Sequence, residues 1–338
     1  MGTWSTPRWL ELDGAPAIPG LRTRSFLDAS DYARLSTLLI AAHTSDGIPW
    51  MPTPTELRLE MEAGEGADPI HDVVLAEADD RVVAAAGVER AMRDGVPTYE
   101  IWGAVDPAFR RRGLGTALLG WNLARVRVRA SREDPGTPVT VRAFAQDTET
   151  GHRVLIDKAG FEPIRHFYLM RRPTLDGVPP VPVPEGLEVR PVSEDQYRVI
   201  FDAENEAFRD HWGHREMVEG DYARTYSLPE LDTNLWVVAW DGDEVAGVVQ
   251  SWVWPEENRR LGVRRGWLEH ISVRRPWRRR GLATALTSIA LVKLREAGLD
   301  EAMLGVDTEN ATGALGLYES LGFEEHSRGT AYYRDLRR

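Results

Sequence analysis

Cysteine is absent from the 338 residues, which excludes a disulfide framework, a thiolate zinc site and a cysteine nucleophile together. Lysine is almost absent: of 41 basic residues only Lys158 and Lys293 are lysine, a bias from which no function follows. No apolar run approaches the ~18 to 20 residues of a membrane-spanning helix, so no membrane partner is expected. Met1 to Ile18 lack a basic segment followed by a long apolar one, so no secretory signal is expected and a cytoplasmic location is. Excess positive charge is also missing. The net charge of −12 would repel a phosphate backbone, and no nucleic-acid partner is expected. A cationic small substrate suits that charge, as does solubility alone. His211 and His214 lack a nearby third ligand, so no metal is expected.

What is present reads as globular: 42% hydrophobic and 28% charged residues in a length suited to two domains. The two halves repeat one order of features. Gly20-Leu21-Arg22-Thr23-Arg24 is echoed by Gly186-Leu187-Glu188-Val189-Arg190. Val74 to Ala78 and Val82 to Gly87, around a polar turn, reappear as Trp236 to Trp240 and Val245 to Val249. Val105 to Gly115 matches Val273 to Ala283, and Ala159-Gly160-Phe161 matches Leu321-Gly322-Phe323. Each half is expected to run strand, one or two helices, three strands, helix, strand, helix, strand, a mixed α/β (α+β) layer. Prolines 173, 179, 180, 182 and 184 read as a stiff extended linker. The expected division is an N-terminal domain 1–172, a linker 173–185 and a C-terminal domain 186–338.

The glycine-bearing turn lies between a strand and a helix, where backbone N–H groups without intrahelical partners and the helix dipole favour an anion. Gly281, like Gly113 and Gly115, lets a pyrophosphate approach the backbone. A Walker A loop needs Gly-Lys-Ser/Thr, which is absent, and the dinucleotide fingerprint needs a third glycine that neither turn has. Arg-x-x-Gly-x-Gly/Ala, preceded by Glu269-His270-Ile271-Ser272-Val273 and followed by Asp307-Thr308-Glu309-Asn310 and Leu317-Tyr318-Glu319-Ser320-Leu321-Gly322-Phe323, resembles the coenzyme A pyrophosphate loop of the GNAT N-acetyltransferase family. The resemblance covers about Leu21 to Met170 and Leu187 to Arg334. It implies two tandem GNAT folds, similar in architecture to the mycothiol synthases, with acetyl-CoA as acyl donor. It places cofactor contacts at Ile271, Ser272 and Val273, at Arg278, Arg279, Arg280, Gly281, Leu282, Ala283 and Thr284, and at Asn310. In the first half they fall at Arg110, Arg111, Arg112, Gly113, Leu114, Gly115 and Thr116. Asn310 reads equally as a helix N-cap.

By the same resemblance Tyr318 donates a proton to the departing thiolate. A phenol of pKa about 10 is protonated at neutral pH and can donate to a thiolate whose conjugate acid is near 8.5. The alternative is a core residue at helical spacing with Ala314, Leu317 and Leu321. Glu269 is the expected base for the amine, and His270 faces the other side of an ideal strand. The oxyanion is expected to meet a backbone N–H near Ile271 to Val273. Aligned halves put Ile156 opposite Tyr318 and Ile101 opposite Glu269, so the N-terminal domain reads as degenerate, able to bind cofactor without using it. Phe208, His211, Trp212, Trp252 and His270 are the expected acceptor-site residues. The expected function is acetyl transfer to a small-molecule amine by direct attack in the C-terminal domain of a monomer or homodimer. The alternatives are a thiol-sugar acceptor, as for a mycothiol synthase, and a non-catalytic acyl-CoA sensor.

Overall fold

The computed structural model describes residues 8–63, 66–310 and 313–336. Residues 1–7, part of the segment read for a signal, lie outside the described residues. No helix among the described residues is long and apolar enough to cross a membrane.

The chain divides into two compact units, Met1–Ile164 with Thr330–Arg338, and Arg165–Gly329. The first half supplies β1 (Trp9–Leu10), β2 (Arg22–Ser25), α1 (Ser30–Asp46), α2 (Pro54–Ala63), α3 (Pro69–Asp72), β3 (Val73–Ala78), β4 (Arg81–Arg93), β5 (Val96–Val105), α4 (Leu114–Ala130), β6 (Thr140–Gln146), α5 (Thr150–Lys158) and β7 (Glu162–Arg172). The second half supplies β8 (Glu188–Arg190), α6 (Tyr197–Phe208), α7 (Glu219–Ser227), β9 (Val237–Asp241), β10 (Glu244–Trp252), α8 (Pro255–Leu261), β11 (Arg265–Val273), α9 (Leu282–Glu296), β12 (Glu301–Asp307), α10 (Ala314–Ser320) and β13 (Glu324–Asp335). The expected order of elements is present in both halves, with β1, the short α3 and α8 as additions.

In each unit the strands are covered on both faces, which is why β3, the first half of β4, β9 and most of β10 are continuous buried runs rather than alternating ones. In the first unit Ala84 and Ala86 of β4 pack on Leu114, Ala117 and Leu118 of α4, while Ala85 meets the opposite layer, where Leu35, Leu38 and Leu39 of α1 lie. In the second unit α9 covers Ala246 and Val249 of β10, and α6 covers Val248.

The expected boundaries do not survive. β7 pairs antiparallel with β12, from Arg172↔Ala302 to Phe167↔Asp307, so most of the strand that ends the first half belongs to the second unit. Conversely, residues from Thr330 onward return to the first unit, where Tyr332 joins the core around Val141 and the Leu336 N–H donates to the Val139 carbonyl at 3.4 Å. Each half thus ends in a strand whose final part is counted with the other unit. Nor is 173–185 a free spacer. Leu175 is 1% exposed and its N–H donates to the Asp300 carbonyl at 2.8 Å. Ser288 Oγ donates to the Pro179 carbonyl at 2.6 Å. Proline lacks an N–H but keeps its carbonyl, so the extended segment is tied down by a donor at Leu175 and an acceptor at Pro179.

Candidate active site

In the second unit β11 and β12 run parallel only at Arg265↔Glu301, Gly266↔Ala302 and Trp267↔Met303. Buried Arg265 clamps that closed end, its Nε donating to Glu301 Oε1 at 2.7 Å. Beyond it β12 continues against β7, while β11 keeps only β10. The strands part as a wedge, and one main-chain edge of β11 from Leu268 to Val273 is left for water or a ligand to satisfy. The first unit repeats this: β5 and β6 pair from Thr98↔Thr140 to Ile101↔Ala143, and β5 runs on to Val105.

At the open end of each wedge sits the glycine turn. Gly281 (φ 82°) and Gly113 (φ 97°) are left-handed residues that start α9 and α4, a conformation that favours glycine irrespective of any ligand. Arg279 and Arg111 share positive φ, at 60° and 62°. The N–H groups of Leu282, Ala283 and Thr284 belong to the first turn of α9 and have no intrahelical acceptor, and those of Leu114, Gly115 and Thr116 stand likewise on α4. The Arg278 guanidinium does not face a phosphate. Its Nε donates to the Val273 carbonyl at 2.8 Å, one terminal nitrogen to Asp210 at 2.5 Å and the other to the Ala207 carbonyl at 3.0 Å. Arg110 makes the same three bonds, to Val105, Asp46 and Ala42. These arginines hold the turns in place, while Arg279, Arg280, Arg111 and Arg112 stand exposed beside them.

The reacting groups depend on a bulge. Gln250 pairs with His270 and Ser251 with Leu268, so Glu269 is the extra residue on β11. Ideal alternation therefore fails at the point where it was expected to separate Glu269 from His270, as bulges near functional sites commonly arrange. Trp254 Nε1 donates to Glu269 Oε1 at 3.4 Å. The Glu269 side chain is reachable by solvent yet densely surrounded. Desolvation raises its pKa above the ordinary value, against the lowering effect of His270. Glu204, on α6 with its side chain 1% exposed, lies with Oε1 3.5 Å from His270 Nδ1 and accepts from Gln250 Nε2 at 2.5 Å through Oε2. Desolvation lowers the His270 pKa, but Glu204 and Glu269 outweigh it and the net direction is upward. Sequence reasoning missed Glu204. Its one signal is a carboxylate on the helix face that carries Ile200, Ala203 and Ala207.

Tyr318 lies in the core at 7% exposure, edge-on to Phe323 at 6.1 Å, and burial pushes its phenol well above 10. Ile156 is its structural counterpart: the Phe161 N–H donates to the Ile156 carbonyl at 3.3 Å as the Phe323 N–H does to Tyr318 at 3.0 Å. Asn310 is not the N-cap of α10. That position is Gly313 (φ 74°), whose N–H donates to the Asn310 carbonyl at 3.2 Å.

Phe208 lies 4.5 Å from the ring of His211 and 5.4 Å from that of His270, and Trp212 lies 6.2 Å from Phe167 on β7. The end of α6 thus touches β11 on one side of the wedge, and the loop after it touches β7 on the other. Desolvation, helped by the Arg278 charge, lowers the His211 pKa. Trp252 is displaced from its expected role: at 4% exposure it belongs to the α6 core, and Trp254, stacked on it at 5.6 Å, is the ring that reaches Glu269.

Comparison with known proteins gives these features a context. The acetyltransferase (GNAT) family matches residues 34–129 and 197–323. A mycothiol acetyltransferase of Salinispora arenicola is 31% identical over 91% of this chain and 94% of its own length. One from Geodermatophilus obscurus is 29% identical over 94% and 99%. A GCN5-related N-acetyltransferase from Sphaerobacter thermophilus superposes with a TM-score of 0.70 at 27% identity, covering 94% of this chain and 96% of that one. A tandem GNAT protein from the clavulanic acid biosynthesis pathway shares the fold at TM-score 0.64 and 19% identity, covering 93% and 98%.

Proposed function

Because the chain belongs to the acetyltransferase (GNAT) family, we propose that its second unit is the transferring one, moving acetyl from acetyl-CoA to a small-molecule amine by direct attack. Acetyl-CoA supplies the activated acetyl thioester. The residues suit such a donor: the helix N–H groups after Gly281 and the exposed Arg279 and Arg280 favour pyrophosphate, and the unpaired edge of β11 offers main-chain partners to an extended amide-bearing arm.

The observation that carries the reading is the polar cluster of Glu269, His270 and buried Glu204 beside that open edge. Glu269, its pKa raised by desolvation, takes a proton from the acceptor's ammonium directly or through water, and the neutral amine left behind attacks the thioester carbonyl. His270 and Trp254 orient it from either side. A backbone N–H between Ile271 and Val273 faces the negative charge that develops on the carbonyl oxygen. Tyr318 keeps its proton across the working pH range and shares it with the departing sulfur, a weaker donation than an unburied phenol would make. Phe208, His211 and Trp212 wall the acceptor. The test is release of free coenzyme A by the purified protein from acetyl-CoA and a panel of amines; absence of release with every amine contradicts the proposal.

The name shared by the relatives, mycothiol acetyltransferase, supports a second reading in which the acceptor amine belongs to a mycothiol-type thiol sugar. Turnover of that acceptor at kcat/KM at least about tenfold above a thiol-free amino sugar would support it, and no turnover would remove it.

A further inference from the structure

In the first unit a cavity of about 880 Å³ joins the glycine turn (Arg111, Gly113, Thr116) to the far side of the wedge under α1 and α2. The equivalent positions of the reacting cluster can be followed into it. Arg110 reaches the Ala42 carbonyl as Arg278 reaches that of Ala207, which sets Leu39 where the second unit has Glu204. Ile101 stands for Glu269, Trp102 for His270, and Gly87, paired with Trp102, for Gln250. Every polar member is replaced by an apolar side chain or by glycine. Leu39 and Leu57 are each under a tenth exposed, and Met61 and Trp102 are partly buried on their core, while Ile101, equally buried, packs on a separate core with Leu123 and Ile156. Glu60 and Glu89, which also line the space, are exposed. Desolvation lowers the His43 pKa, against the opposing effect of the hydrogen bond that its Nδ1 donates to the Trp50 carbonyl at 2.7 Å.

We propose that this cavity binds an acyl-CoA with a medium-length apolar acyl chain and holds it without turnover. The chain would lie against Leu39, Leu57 and Met61, and the pyrophosphate at Gly113. This rests on the reading of the glycine turns as coenzyme A sites. An acetyl group would leave the wall beneath α1 and α2 unfilled, whereas burying only two of the further methylenes of an octanoyl chain is worth about tenfold in affinity.

The experiment is calorimetry on the full chain carrying Gly281→Asp, which blocks the second turn, titrated with CoA, acetyl-CoA and octanoyl-CoA. Octanoyl-CoA is expected to bind at least about tenfold more tightly than acetyl-CoA. Met61→Asp, at a partly buried site, should abolish that preference while CoA alone still binds; Met61→Leu should keep it, which separates loss of the wall from loss of fold. Equal affinities for acetyl-CoA and octanoyl-CoA overturn the inference. Failure of all three ligands to bind overturns the reading of the Gly113 turn on which it rests.

Discussion

Strand β11 carries Glu269 and His270 where β5 carries Ile101 and Trp102, yet both strands leave their parallel neighbour to open the same wedge. Both turns begin their helices on a left-handed glycine, and both are held by an arginine bonded to a strand-end carbonyl, an aspartate and a helix carbonyl. On the proposed reading, what would hold a nucleotide thioester is a property of the backbone and of structural side chains, while proton chemistry would reside in a few residues that line the wedge. A duplicated unit can lose the second without disturbing the first. The losses are coupled by packing: a Cβ on Gly87 would sit 2.4 Å from the Trp102 indole, so Trp102 requires glycine beside it.

The contrast is most sharply broken at its base. Glu269→Gln is expected to lower kcat/KM by about 10²- to 10⁴-fold, the usual worth of a positioned general base. Steady-state release of coenzyme A measures it, and an unchanged rate would move the base elsewhere. The wild-type profile should also fall on the acid side at a pH above the ordinary carboxylate value of about 4.3, because burial raises the Glu269 pKa, and Glu269→Gln should lack that limb. Tyr318→Phe is expected to cost less, about tenfold to a hundredfold, since the raised phenol pKa weakens proton donation. In the first unit Gly87→Ala should destabilise by about 1–3 kcal/mol through the Trp102 contact, seen as a lower melting temperature, with turnover in the second unit retained.

The smallest effect concerns stability at the site itself. Glu269 has a folded pKa above its unfolded one, so its contribution is fully present below the unfolded value and is lost as pH rises through the folded value. Ionised Glu269 is therefore a cost at neutral pH. Glu269→Gln should melt slightly higher than wild type near pH 7, and the difference should vanish toward pH about 4. A variant that melts lower at neutral pH would argue against desolvation of the carboxylate.

Local chemistry made part of this molecule legible in advance. The turns were readable because Gly113 and Gly281 act within a few residues of themselves, and the Gly-Phe echoes correspond to matching pairs of hydrogen bonds after Ile156 and Tyr318. What escaped reading depends on partners distant in sequence. No local pattern says that β7 pairs with β12, and a bulge at Glu269 exists only relative to β10. Glu204 meets Gln250 across 46 residues, and Asp210 meets Arg278 across 68. The second of these had a signal in the repeat, because Asp46 precedes Arg110 by the comparable 64. Trp252 misled because alternation along a strand separates two faces but does not say which one a helix covers.

The division of labour is tested most directly by blocking one turn at a time and measuring acetyl-CoA-dependent release of coenzyme A with an accepted amine. Gly281→Asp places a carboxylate and a strained left-handed residue where pyrophosphate would sit, and turnover is expected to fall by at least about 10³-fold. Full turnover in Gly281→Asp, with the loss appearing in Gly113→Asp instead, would contradict the assignment of the chemistry to the second unit.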